Sequence, residues 1–429
     1  MVNKNYIKIL EEELVPALGC TEPIAIAYAA AKLREELPSL PDEVIIQSSG
    51  NMIKNVKSAV IPNTEGLKGM EVAFAAGLIV GDSSKALEIL SDLNSDDINK
   101  INKFLNTSSV KVVHLDTPAK LHIIVSGTAK NDHASVELIH SHTNVVKIEK
   151  NGKAVFSKEF STDENSSQSN RSCLNVKDII EFANSVDINL IKKLLKTQEE
   201  YNTAIVQAGL NTESPFGLSK VILKQYQNTE CFSIEAQAKA ELSAAIEARL
   251  SGKSYAVITN SGSGTQGLCV SIPVLVFARE LKLSEEKKLR ALALSNLLAI
   301  HQKTSVGRLS AFCGTAGATT AAVSAITYLK GGTYEQISAT LTNSLAAVAG
   351  IICDGAKVSC SAKAVLSLNA AFLAHHLAMS GDIVEAGDGI VKDDVEKTIS
   401  SVGILASKGM QETDKVILDI MLDQGVAAK

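Results

Sequence analysis

Three cysteines stand out as residues that could do chemistry. Cys313 sits in SAFCGTAGATT, and Cys353 and Cys360 bracket CDGAKVSC. Each lies near glycine, where the chain can turn and its amides can reach sulfur. Three thiolates fall short of a structural zinc site, which takes four ligands. They suit a 4Fe–4S cluster with one iron left open, a Lewis acid for a substrate group. Spacing alone leaves buried structural cysteines as the competing reading, because free cysteine packs well in cores.

A fourth cysteine, Cys20, sits in LGCTEP. Thr21 or Glu22 is placed to cap a helix, with Pro23 in its first turn. The positive end of that helix is expected to lower the thiol's pKa and favour thiolate. The alternative is a small residue in a tight turn. Cys173, Cys231 and Cys269 match no motif and read as core residues.

The elements that must position these thiols can be traced along the chain. Asn5–Val15 and Ile24–Glu36 read as helices, the second Ala-rich and buried. EVIIQSSGN reads as a strand ending in a turn at Gly50, and GMEVAFAAGLIV as another buried helix. Lys85–Asn94 and Ser95–Leu105 read as polar helices. The pattern then alternates: VKVVHLD, KLHIIVSGTA, ASVELIH and NVVKIEKNGKAVF are strands of an antiparallel sheet. Ser161–Ser172 is unpatterned and reads as a linker. Nearly everything from Val176 onward has helical period. The expected fold is α+β: an N-terminal part over residues 1–172 with a small antiparallel sheet and helices, and an all-α part over 173–429. If Cys20 works beside Cys313, far away in sequence, both helices of Met1–Glu36 must pack on the C-terminal half.

Composition narrows the function. The chain has 429 residues, 45% of them hydrophobic, which is enough for a large core. A net charge of −5 without a basic stripe, and only 4% aromatic residues, argue against nucleic acid. The polar N-terminus lacks a signal peptide's apolar core, so a cytoplasmic protein is expected. Leu309–Leu329 and Gln336–Cys353 carry no charge. They are rich in Gly, Ala, Ser and Thr, and read as buried helices rather than membrane spans.

Other motifs are weaker. SGSGTQG fits G-x-G-x-x-G at Gly262, Gly264 and Gly267, but no second strand ending in an acidic residue follows, as a dinucleotide fold requires. A ligand loop whose amides hold a carboxylate at a helix start is the better reading, beside a plain turn. SGKS lacks the first glycine of a P-loop. His133, His140 and His142 read as solvent-facing positions of the sheet rather than zinc ligands, and His375 and His376 as ordinary helix residues.

Taken together, LGCTEP, SSGNMIKNV, SGSGTQG, FCGTAGA and CDGAKVSC resemble the L-cysteine desulfidase family, relatives of the α-subunit of iron–sulfur L-serine dehydratases. The motifs span most of the chain in the expected order. Residues 110–160 and the C-terminal end carry little of the likeness. The resemblance implies a 4Fe–4S cluster on Cys313, Cys353 and Cys360, with Cys20 as a proton-transfer group or transient ligand. It implies α,β-elimination of L-cysteine to pyruvate, ammonia and sulfide, without a Schiff-base lysine at Lys357 or Lys363. Asn51, Ser263 and Gln266 are then expected to hold the amino acid's carboxylate and ammonium. L-Serine as substrate is an alternative, and a cluster-free small-molecule binding protein is another. The expected partner is a small amino acid, with no nucleic acid and no membrane; a homo-oligomer stays open.

Overall fold

The computed structural model describes residues 2–161, 170–226, 233–307 and 309–422. Cys231 and most of the Ser161–Ser172 stretch lie outside them. In chain order the first elements are α1 (Val2–Glu13), β1 (Pro16–Leu18), α2 (Thr21–Glu36), β2 (Glu43–Ser48), α3 (Gly50–Val56) and α4 (Met70–Val80). A 3-10 turn at Ser83–Glu88 leads to α5 (Ser95–Thr107). Then come β3 (Ser109–His114), β4 (His122–Ala129), β5 (Asp132–Ile139), β6 (Val145–Lys150) and β7 (Lys153–Ser157). The second part holds α6 (Val176–Ser185), α7 (Ile188–Leu210), α8 (Leu218–Tyr226), α9 (Ile234–Leu250), β8 (Ala256–Ile258) and α10 (Gly264–Glu280). It continues with α11 (Glu285–Val306), α12 (Gly314–Leu329), α13 (Tyr334–Val348), α14 (Cys360–Met379), α15 (Val395–Ile404) and α16 (Gln411–Met421).

The fold is α+β, as expected. Six strands run in the order β3-β2-β4-β5-β6-β7. All neighbours are antiparallel except β2 and β3, which are parallel. That pair needs a crossover, and α3, α4 and α5 lie between its strands in the chain. Gly50 opens α3 rather than ending a turn, and Lys85–Asn94 contains only the 3-10 turn. In both places the sheet's crossover overrides local propensity.

Two large cores form. In one, Val44, Ile46, Ile123, Val125, Val136 and Leu138 of the sheet pack against Ile24, Ala27 and Leu33 of α2 and Phe74 of α4. This corrects the expectation for α2, which lies in the sheet core and not in the helical half. Its alanines leave every face apolar, so it can serve as a buried layer. The second core is helical, built on α10, α11 and α12. α1 belongs to it through Tyr6, Ile9, Leu10 and Leu14. Tyr6 stacks edge-on against Phe182, and its hydroxyl donates to the Cys173 carbonyl at 2.8 Å.

α12 explains the charge-free run at Leu309–Leu329. It is buried on nearly every side. Its hydroxyls bond back to its own carbonyls: Thr319 to Thr315 at 3.0 Å, Thr320 to Ala316 at 2.9 Å, Ser324 to Thr320 at 2.9 Å and Thr327 to Val323 at 3.1 Å. Small hydroxyl residues thus satisfy themselves inside a core. Among the described residues, no helix is long and apolar enough to cross a membrane.

If α1 is an integral part of the helical core, Tyr6→Ala should lose about 3–5 kcal/mol of stability in urea denaturation. Tyr6→Phe should lose about 0.5–1.5 kcal/mol, the share of one hydrogen bond. A neutral Tyr6→Ala would place α1 outside the cooperative unit.

Candidate active site

The site begins with a two-stranded pairing. β1 runs antiparallel to β8, with Pro16 opposite Ile258, Ala17 opposite Val257 and Leu18 opposite Ala256. Past β1 the chain turns at Gly19 and enters α2 with Cys20 at the N-cap. The helix therefore starts at Thr21, so neither Thr21 nor Glu22 is the cap, and the thiol makes no capping bond. Thr21 instead donates its hydroxyl to the Gly262 carbonyl at 3.0 Å. LGCTEP and SGSGTQG are thereby joined.

SGSGTQG links β8 to α10. Among the described residues β8 pairs with β1 alone, antiparallel, so it belongs to no βαβ unit. Ser263 is the N-cap of α10, its hydroxyl accepting the Gln266 N–H at 3.4 Å. A buried amide chain holds the loop from behind. Gln198 and Asn296 exchange bonds at 2.8 and 3.1 Å, Asn260 donates to Asn296 at 3.0 Å, and Ser261 donates to Asn260 at 2.9 Å. Each partner is buried, so removing one strands another. Two glycines make room for side chains in the cleft. A Cβ at Gly264 would meet Arg249 Nε at 2.5 Å, and one at Gly314 would meet the Gln266 amide at 2.6 Å.

The C-terminal cysteines are set by another short pairing. Phe312 and Ile352 form an antiparallel bridge. The Cys313 N–H donates to Ile351 O at 2.9 Å, and the Cys353 N–H donates to Ala311 O at 2.6 Å. Cys313 is the N-cap of α12, and its sulfur shares a hydrogen bond with the Thr315 hydroxyl at 3.0 Å. Cys360 opens α14.

Cys20, Cys313, Cys353 and Cys360 all line one cleft, together with Glu22, Asn55, His142, Arg249, Ser263 and Gln266. Asn51 does not line it. Asn55, one turn further along α3, does, and its amide donates to Glu22 Oε1 at 3.1 Å. His142 is buried and reaches the cleft, which corrects its reading as a solvent-facing residue. His140 sits in the turn after β5, its ring bonded to Ser161 O at 2.6 Å. Cys269 is buried on α10, and Cys173 is half-buried at the edge of the helical core. Lys357 and Lys363 both pair with Asp354. Among the described residues, no three His, Cys, Asp or Glu side chains are drawn together as a cage for a single ion.

Electrostatics at the cleft run in two directions. Burial pushes the Cys20 thiol up to about 12, while the adjacent Arg249 guanidinium pulls it down. The expected acidic thiol is therefore not found; desolvation outweighs the helix end. Burial likewise raises Cys313 to about 11, with Cys353 adding to the rise, and it raises Cys360. Against this, four helices begin at the cleft. Cys20, Ser263 and Cys313 are the N-caps of α2, α10 and α12, and Cys360 is the first residue of α14. Each start carries up to about half a positive charge. A negative group bound here is favoured, while burial holds the Cys20, Cys313 and Cys360 thiols toward the protonated form.

Arg249, Glu22, Asn55 and His142 are the lining residues that motif reading missed. A signal for Arg249 existed. In AELSAAIEARL, Ala, Leu and Ile together cover most of the helix circumference, so its charges have no polar face to occupy.

These features define a thiol-lined, buried, anion-favouring cleft at helix starts, suited to lyase chemistry on a small polar substrate. The sequence profile described as the serine dehydratase alpha chain matches residues 84–419, and the chain belongs to that family of lyase-type enzymes. A UPF0597 protein of Treponema denticola is 51% identical over 98% of both chains. One from Lachnoclostridium phytofermentans is 46% identical, over 98% of this chain and 100% of its own. One from Finegoldia magna is 41% identical over the same shares.

The raised thiol has a measurable consequence. In metal-free protein, alkylation of Cys20 by iodoacetamide, followed by peptide mass spectrometry, should rise about tenfold per pH unit through alkaline pH. A plateau near neutral pH would show that the thiolate already prevails there.

Proposed function

We propose that this chain is a cytoplasmic iron–sulfur-dependent L-cysteine desulfidase, converting L-cysteine and water to pyruvate, ammonia and sulfide. The observation that carries the reading is the meeting of Cys20 with Cys313, Cys353 and Cys360 on one cleft. LGCTEP and SSGNMIKNV lie outside the segment shared with the serine dehydratase alpha chain, yet supply Cys20 and Asn55 to that cleft. This supports the desulfidase likeness over the full chain.

The donor set fits the cofactor. Soft thiols, three of them at helix starts, suit an anionic cluster better than a hard cation. A four-iron cluster is wider than one ion, so its thiolates need not form a single-ion cage. Cys313, Cys353 and Cys360 would hold it; when bound, it supplies an open iron that stabilises the leaving sulfur or the carboxylate.

The chain's own residues do the rest. Cys20 accepts the Cα proton as a thiolate, with the Arg249 charge beside it favouring that form. Ser263 and Gln266, at the start of α10, orient the amino acid by hydrogen bonds. The buried walls limit water during proton removal. L-Serine is the second reading, favoured by the family's description; its hydroxyl is a harder leaving group needing the same assistance.

Purified without oxygen, the protein should hold about four irons per chain and release sulfide from L-cysteine faster than it forms pyruvate from L-serine. Cys360→Ala should lose the iron. Cys20→Ala should keep it and lose about 10²–10⁴ of turnover. Iron-free protein, or a fully active Cys20→Ala variant, contradicts the proposal; a serine preference selects the second reading.

A further inference from the structure

Arg249 is a buried cation in need of an anion. It is 3% exposed. One arm donates to Thr265 Oγ1 at 2.8 Å and another to the Gly19 carbonyl. Nε is buried without a hydrogen-bond partner. Among the described residues, no carboxylate is close enough to form an ion pair with it. A guanidinium removed from water is costly unless an anion compensates. Its two fixed arms also hold the fork rigid, which prepares the Nε–H for a planar acceptor.

Across the cleft stands Glu22. Its Oε1 accepts from Asn55 at 3.1 Å, and its Oε2 lies 3.1 Å from the Thr21 hydroxyl, whose one proton it shares with Gly262 O. A carboxylate offers about four acceptor positions, so two remain. Glu22 is the acidic side chain lining the cleft, in the first turn of α2 beside Cys20. A cation and an anion thus flank the thiol, each with unused hydrogen-bonding capacity. The start of α10, whose cap Ser263 also lines the cleft, adds positive potential beside Arg249.

We propose that Arg249 and Glu22 form a clamp for a zwitterion, Arg249 Nε–H receiving the α-carboxylate of a free α-amino acid and Glu22 its α-ammonium. This rests on the reading above that Cys20 faces the substrate's Cα. The clamp makes the substrate class narrow. Peptides carry the two charges on different residues, and N-acylated amino acids, amides and 2-hydroxy acids lack one of them, so each leaves Arg249 or Glu22 unpaired.

L-Alanine is the probe, since it carries both charges and no leaving group. It is titrated calorimetrically into the anaerobically purified full chain, beside propionate, which carries only the carboxylate, and L-alaninamide, which carries only the ammonium. Wild type should bind L-alanine at least about tenfold more tightly than either. Arg249→Gln should weaken L-alanine about 10–100-fold and leave L-alaninamide unaltered. Glu22→Gln should weaken L-alanine and L-alaninamide alike and spare propionate. Circular dichroism checks folding. If Arg249→Gln does not fold, the wild-type ligand comparison and Glu22→Gln still decide. Equal affinity for all three ligands, unchanged L-alanine binding in Arg249→Gln, or equal weakening of every ligand in a variant would overturn the clamp. Alanine binding needs no turnover. Absence of iron or of sulfide release would therefore sink the proposed reaction and leave the clamp standing, and the reverse holds as well.

Discussion

The pairing of Pro16–Leu18 with Ala256–Ile258 is the contact on which the rest of the site depends. It fixes where β1 ends, and so where Cys20 caps α2. It also fixes where β8 ends, and so where SGSGTQG turns into α10. Thr259 fastens the other side, with its N–H on Val15 O and its hydroxyl on Glu13 O, both at 2.9 Å. Thr21 and Gly262, 241 positions apart, close the junction. Joining segments so distant costs chain entropy. Burial of Tyr6, Ile9, Leu10 and Leu14 in the helical core offsets that cost.

That junction concentrates opposing electrostatic demands in one place. Buried thiols resist ionisation, and burial raises Cys20, Cys313 and Cys360 together. Four helix starts and a buried arginine favour negative charge at the same point. The cleft therefore sets three thiols that burial holds toward their neutral form, Cys20, Cys313 and Cys360, in a positive setting. Such a setting is organised before any ligand arrives, which is the condition under which fixed dipoles act most strongly. The helical core contributes by burying α12 almost entirely, so solvent screens its start little.

Much of this was legible in the sequence because it is local. The thiols at Cys20, Cys313, Cys353 and Cys360 sit beside glycines and helix caps that sequence can identify. Ser263 and Gln266 follow from SGSGTQG opening a helix. What failed depended on contacts across the chain. An Ala-rich α2 is apolar all round, and nothing in its pattern says whether a sheet or a helix layer covers it. Asn51 and Asn55 share one short helix, and the cleft selects Asn55 because α3 starts at Gly50. His142 looks like a strand residue until the turn after β5 carries it inward. The acidity of Cys20 was misjudged because the helix end is visible in sequence and desolvation is not.

The central claim is that three remote cysteines hold one cluster facing Cys20. Mössbauer spectroscopy of the anaerobically reconstituted protein tests it most directly. The four irons should divide three to one, and L-cysteine should shift the signal of the single iron, in wild type and in Cys20→Ala alike. Irons that stay equivalent and unmoved by L-cysteine, or a protein that takes up no iron, would contradict the account.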